Sequence, residues 1–316
     1  MFGKLIGQLI PDDLLRVRDA KIKLPSLGQA HCGVVVHLLI QKTSPQELNL
    51  STYSYSVVAY NYAFDSENKI HSDDVASQYG FKGGLVPGVA DFAYLARATF
   101  SVYGDTWLQD GTIEAKFFKP IYHGELTTAN ALPSSDGNGL VLELLNAEGI
   151  AAAAGSASMG VSDAPPLFTD YASVECPDLA ARPAPDTDSF AAGHPLGNYE
   201  YQHLDGPANA NAEERFVELW HGANGAPVWH PATALHDANR ALRANVHLGP
   251  WIHTSSRMQL YGAPNNQDVV SLRGVVKDTY EKRGHVMTEL DLAMFANQRA
   301  VARIEHRAII RLAGKA

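Results

Sequence analysis

The chain has 316 residues, 46% of them hydrophobic and 19% charged, a length that suits about two domains with full-sized cores. Its formal net charge of −9 excludes a general nucleic-acid binder, which needs a basic face, but not an anionic ligand held by a few local Lys or Arg. The two cysteines, Cys32 and Cys176, make neither a disulfide framework nor a metal spacing and fit a reducing compartment.

The first ten residues of MFGKLIGQLIPDD are apolar around Lys4, too short a stretch for a membrane span or a secretory core with its cleavage site. A cytoplasmic protein with no membrane segment is expected. GVVVHLLIQ, residues 33–41, reads as a strand. A polar cluster follows at Asp65, Ser66, Glu67, Asn68 and His71, then the loop-forming pair Gly83-Gly84. Asp73 and Asp74 suit the start of a short helix, where negative charge meets the macrodipole. In ADFAYLARATFSV, residues 90–102, Phe92, Leu95, Ala96, Thr99 and Phe100 share a helical face. Four strand-like runs come next: TIEAKFFKPIY, ELTTANALP, LVLELLNAEG and IAAAAGSASMGV.

Residues 162–190 are rich in Pro, Asp and Ala without apolar period and read as a connector. They divide a unit at 1–161 from a second at 191–316. The second repeats the order of the first. HPATALHDANRALRA is a helix, and WIHTSSRMQLYG, DVVSLRGVVKDTYEKRG, HVMTELDLAMFANQ and RAVARIEHRAIIRL are strands. Lys282-Arg283-Gly284 and Ala296-Asn297-Gln298 mark hairpin turns. One helix followed by antiparallel strands, twice over, predicts an α+β pseudo-dimer in which a curved sheet wraps each helix and pairing covers an open edge.

The stretch SENKIHSDDVASQYGFKGGLVPGVADFAYLA resembles the signature of the MaoC-like, R-specific enoyl-CoA hydratases. Asn68, Ile70 and His71 stand at the signature's Asn, Ile and His, and Asp73, Ala76, Gly80, Phe81 and Gly88 fit its later positions. FKPIYHGELTTANA is similar to the family's next strand pair, and the second half resembles the second unit of double hot-dog members but lacks the signature. Lys69 replaces the family Pro, and Ser66 stands at the catalytic Asp position, with Asp65 one residue early and Glu67 one late.

The resemblance implies a double hot-dog fold and reversible hydration of a 2-enoyl-CoA, or dehydration of its 3-hydroxy form, without cofactor. It implies His71 as base, helped by Asp65 or Ser66, with the Gly88 amide as oxyanion donor and Asn68 and Val89 on the substrate side. The expected partner is an acyl-CoA or acyl-carrier thioester, with a homodimer as one possible assembly. The chemistry is coherent. Imidazole is the natural base near neutral pH, and a glycine at a helix start lets a carbonyl approach unpaired backbone amides.

Lys69, Lys82, Lys116, Lys119 and Arg257 lie near the site elements and can meet phosphates or be ordinary solvated charges. His221, His230, His236, His247, His253, His285 and His306 crowd the second half at spacings unlike metal-binding pairs, so no metal is expected. Trp251, His253 and Ser255 alternate on a strand, and either line an acyl tunnel or pack the second helix. Two rival functions remain open. One is a thioesterase using Asp65, Glu67 or Asp91, and the other a non-catalytic acyl-thioester binding subunit, which Ser66 favours.

Overall fold

A computed structural model describes residues 51–160, 163–204 and 228–314. The strand expected at 33–41 lies outside these residues, as do Cys32 and His221. Among the described residues, ten strands form one antiparallel sheet in the order β1-β3-β4-β5-β2-β7-β10-β9-β8-β6. The first half supplies β1 (Tyr53–Val58), β2 (Gly111–Phe117), β3 (Leu126–Pro133), β4 (Leu140–Leu145) and β5 (Ala151–Met159). The second supplies β6 (Pro195–Gln202), β7 (Ile252–Leu260), β8 (Val269–Lys282), β9 (His285–Ala296) and β10 (Arg299–Arg311). The halves join where β2 pairs with β7, from Thr112↔Gln259 to Lys116↔Ser255.

Among the described residues, three helices belong to the first half: α1 (Asp73–Gln78), α2 (Gly88–Tyr103) and α3 (Trp107–Asp110). The second half has α4 (Ala232–Asn245), which packs against α2. Helix α2 is apolar on nearly every side, so it is buried all round rather than along a stripe. Its Ala90, Ala93, Ala96 and Ala98 let the sheet close in, while Phe92 and Leu95 fill the space between. Helix α4 buries Leu235, Ala238, Ala241 and Leu242 and leaves His236, Asn239 and Arg240 partly open. Its buried Asp237 accepts from Tyr201 Oη at 2.8 Å, and its Asn245 Oδ1 accepts from the Gly197 amide at 2.6 Å, which ties the helix to β6.

The hairpins form for a local reason. Arg283 and Gly284 join β8 to β9, Asn297 and Gln298 join β9 to β10, and all four have positive φ. Such a two-residue turn matches the right-handed twist of its strands. Residues 163–194 carry two short 3₁₀ turns, Phe168–Asp170 and Leu179–Ala181, and lie against the second half. There the Phe168 ring meets Phe295 at 5.2 Å between centroids, and the Arg273 guanidinium sits 3.5 Å from the Phe168 ring. Among the described residues no helix is long and apolar enough to cross a membrane.

Candidate active site

The segment from Asn68 to Leu85 is held by a small core of its own. Ile70, Ala76, Phe81 and Leu85 are buried together, with Tyr79, Ile252 and Leu312 packed around them. Asp73 Oδ1 accepts from the Gly84 amide at 2.7 Å and closes the loop. A Cβ on Gly84 would run into the His71 carbonyl oxygen, so this glycine is a steric requirement. His71 is thereby fixed beside the start of α2.

His71, Asp91 and the first residues of α2 face one cavity of about 390 Å³, with β7 of the other half as a further wall. His71 Nδ1 donates to the Leu85 carbonyl at 2.8 Å, which leaves Nε2 as the acceptor nitrogen. Burial lowers its pKa to about 4, opposed by that carbonyl bond, so the ring is neutral at pH 7. Asp91, one turn into α2, is 4% exposed, and its Oδ1 has no hydrogen-bond partner among the described residues. Burial, and then the charge of Glu125, raise its pKa well above the usual carboxylate range, so it holds its proton. A neutral base and a neutral acid thus line one cavity.

Asn68 also lines the cavity, but its side chain is committed to protein. Nδ2 donates to the Trp251 carbonyl at 3.0 Å and approaches His71 Nε2 at 3.3 Å. Oδ1 accepts from the amides of Trp251 at 3.2 Å and Ile70 at 3.4 Å. Its role here is to clamp the loop to the second half and orient His71.

Gly88 opens α2 behind Pro87, which offers no side-chain cap, so the first amides of the helix have no intrahelical partner. A Cβ at Gly88 would lie 3.2 Å from His253 Nδ1 and 3.5 Å from Phe117 Cδ2. Trp251, His253 and Ser255 all line the cavity. His253 Nε2 is 2.8 Å from Ser256 Oγ, which is 3.0 Å from His306 Nδ1.

Three expected site residues lie elsewhere. Asp65 is exposed and Ser66 half-buried, and neither lines the cavity. A turn carries the chain along the surface there, closed by the Ser66 amide donating to Ala63 O, and Ser66 Oγ donates to the Asn68 carbonyl at 3.3 Å. Val89 is fully buried inside the core rather than on the cavity wall. Glu67 is exposed and pairs with Arg243 at 3.4 Å. Of the expected cations, Lys116 and Lys119 reach the cavity, and Lys282 and Arg307 join them, whereas Lys69, Lys82 and Arg257 do not. Among the described residues no group of three or more His, Cys, Asp or Glu could hold a metal ion.

Two helices, each wrapped by half of one continuous antiparallel sheet, define a double hot-dog protein. The solved structures that share this arrangement include MaoC-like dehydratases. A MaoC domain protein dehydratase from Chloroflexus aurantiacus J-10-fl superposes on 84% of this chain and 96% of its own, with a TM-score of 0.54 at 11% identity. A second structure, described as a MaoC-like dehydratase, covers 82% of this chain and 98% of its own, with a TM-score of 0.50 at 11% identity. At such identities the likeness is one of fold. No family model matches the chain, and no curated protein matches its sequence.

Proposed function

We propose that the cavity takes the thioester end of a 2-enoyl-CoA or 3-hydroxyacyl-CoA and interconverts the two by adding or removing water. The observation that carries this reading is the meeting of His71, protonated Asp91 and the uncapped start of α2 around one cavity. In hydration, His71 Nε2 takes a proton from water as the water oxygen bonds to C3. The double-bond electrons move toward the carbonyl, whose oxygen gains charge beside the Gly88 amide. Asp91 delivers its proton to C2. Exchange with solvent returns the proton from His71 to Asp91, and dehydration runs the same steps backwards. The carboxyl that serves is therefore Asp91, in place of the neighbours of Ser66. Lys119 and Lys282 supply positive charge for the phosphates of CoA at an otherwise acidic protein, while Lys116 and Arg307 are paired with Glu114 at 2.8 Å and Glu289 at 2.7 Å.

The protonated state of Asp91 supports this reading over a thioesterase that uses Asp91 as its carboxylate. As a carboxylate Asp91 could activate water or attack the carbonyl in hydrolysis, whereas its neutral carboxyl suits proton delivery; His71 could activate water for either reaction. The test monitors enoyl-thioester absorbance with a panel of 2-enoyl-CoA and enoyl-carrier substrates. Wild type should hydrate at least one, and His71→Ala and Asp91→Asn should each lose at least roughly 10²-fold in kcat. Release of free thiol would favour hydrolysis instead. Binding without turnover across the panel would leave a binding module.

A further inference from the structure

We propose that His253, contributed by the second half of the chain, is a catalytic residue of this cavity: its Nδ1 and the Gly88 amide together hold the thioester carbonyl oxygen as charge develops on it. The inference rests on the acyl-thioester reading above. His253 is 7% exposed, and its Nδ1 has no hydrogen-bond partner among the described residues. That nitrogen faces the start of a 16-residue helix, 3.2 Å from where a Cβ of Gly88 would stand, so the missing side chain leaves the approach open. The Phe117 ring packs across it, with ring centroids 4.8 Å apart, and Phe117 itself lines the cavity. A ligand that turns this ring aside meets the imidazole and the helix amide side by side.

The imidazole is braced from behind. Residues 253 and 256 would face opposite sides of a regular strand, but a register shift in the β7–β10 pairing, between Arg307 and Ala308, brings His253 and Ser256 to one side. Ser256 Oγ bridges His253 Nε2 and His306 Nδ1, and the two rings lie 4.4 Å apart between centroids. Burial lowers the pKa of both imidazoles, with the neighbouring His306 adding to the effect on His253 and a backbone contact from Ser255 opposing it. Both are therefore neutral.

Two neutral imidazoles and one hydroxyl can order their protons in two ways. In one, His253 Nε2–H donates to Ser256, Ser256 donates to His306, and a buried N–H is stranded at His306 Nε2, which has no hydrogen-bond partner among the described residues. In the other, His306 Nδ1–H donates to Ser256, Ser256 donates to His253 Nε2, and His253 presents Nδ1–H to the cavity. Without a ligand each order strands one buried N–H and one acceptor lone pair, and only the second puts its N–H beside Gly88, where a ligand can satisfy it. A carbonyl oxygen placed between Nδ1 and the Gly88 amide selects that second order. The proton stays on nitrogen throughout, and the group acts by donating a hydrogen bond.

The test is isotope-edited infrared spectroscopy of a saturated acyl-CoA carrying ¹³C at its carbonyl, which binds but cannot be hydrated. In wild type the carbonyl band should move to lower wavenumber on binding. His253→Ala should lose much of that shift with its Kd changed only a few-fold. Its kcat for hydration should fall by about 10²–10³, the usual cost of one oxyanion donor, with KM nearly constant. Ser256→Ala, which deletes only a hydroxyl, should show a smaller loss of both. A full band shift retained in His253→Ala overturns the proposal. If that variant does not fold, an unchanged band and kcat in Ser256→Ala overturns it equally. Failure of wild type to bind any saturated acyl-CoA removes the acyl-thioester reading itself. Binding with an unshifted carbonyl removes the His253 and Gly88 assignment alone.

Discussion

Asn68→Ala tests the clamp that joins the His71 loop to the second half. The substitution removes both partners of the Trp251 backbone at once, the acceptor for its N–H at 3.2 Å and the donor to its carbonyl at 3.0 Å. Trp251 is buried, so water does not readily replace them. Each stranded group costs about 1–3 kcal/mol, or roughly 4 kcal/mol for the pair at mid-range. At about 1.5 °C per kcal/mol, from an unfolding entropy of about 2.1 cal/mol/K per residue over 316 residues, the melting temperature should fall by roughly 6 °C. Ser66→Ala is the control. Its Oγ makes one long bond at 3.3 Å to the neighbouring Asn68 carbonyl, and its loss should cost below about 1 kcal/mol. Thermal unfolding by circular dichroism reads the first quantity, and amide exchange at Trp251 reads the clamp directly. A melting temperature within about 2 °C of wild type, or an unaltered exchange rate at Trp251, would show that the loop is held by its own small core and that the clamp argument is wrong.

Other consequences can be checked in parallel. The proposed reaction needs neutral His71 and protonated Asp91, so kcat/KM should fall on acidification through about pH 4 and again on the alkaline side, above the ordinary carboxylate range. A profile without the acid limb near pH 4 would contradict the role of His71, and an alkaline limb at the ordinary carboxylate range would contradict that of Asp91. Stability has its own pH dependence. His71, His230 and His306 have folded pKa values of about 4, 3 and 3 against 6.5 unfolded, so the unfolded chain binds more protons between those limits. Urea midpoints should therefore drop as pH falls below about 6.5, with Asp91 opposing because its raised pKa stabilises the fold at low pH. Equal midpoints at neutral and acidic pH in an Asp91→Asn background, where the opposing carboxyl is removed, would refute the buried neutral imidazoles. Gly84→Ala places a Cβ against the His71 carbonyl and should cost activity and stability together, and a wild-type kcat in that variant would show that the loop adapts. Residues 1–165 expressed alone expose the β2 edge and should aggregate or lack a cooperative transition, whereas a soluble monomer melting like the full chain would contradict the shared sheet.

The parts legible in the sequence are those with local causes. The three-residue signals at Lys282–Gly284 and Ala296–Gln298 place two hairpins because left-handed turn residues act within four positions. Helix α2 is visible from its period, and His71 from the pattern around it. Two strands have weak local signals and go unread. β1 alternates Tyr and Ser, and its inward Tyr53, Tyr55 and Val57 are only partly buried, with Tyr55 Oη donating to the Tyr94 carbonyl. β6 opens with a Pro and carries Gly197, where a Cβ would press on the backbone of Cys176, so it reads as irregular chain. Asp91 stands in view as a helix residue, but its burial, and hence its protonation, depend on the sheet that closes over it. The approach of His253 to Gly88 has no local trace, because it requires β7 to lie beside β2 and a register shift next to it.

The seam between β2 and β7 also sets an order of assembly. The β8–β9 and β9–β10 hairpins close across two-residue loops, so their partners are always within reach. Ala115 and its partner Ser256 are separated by roughly 140 residues, and such non-local pairing is slow because loop closure precedes any reward. During synthesis at about 5–20 residues per second, β2 waits roughly 7–30 s for β7 to emerge. Throughout that interval the nascent first half presents an unpaired strand edge, with the apolar α2 behind it, to every other chain on the same message. Expression yield should therefore respond to translation rate and to chaperones that shield strand edges, and a slowed stretch of codons between residues 117 and 251 should lower soluble yield without changing the melting temperature of the protein that survives.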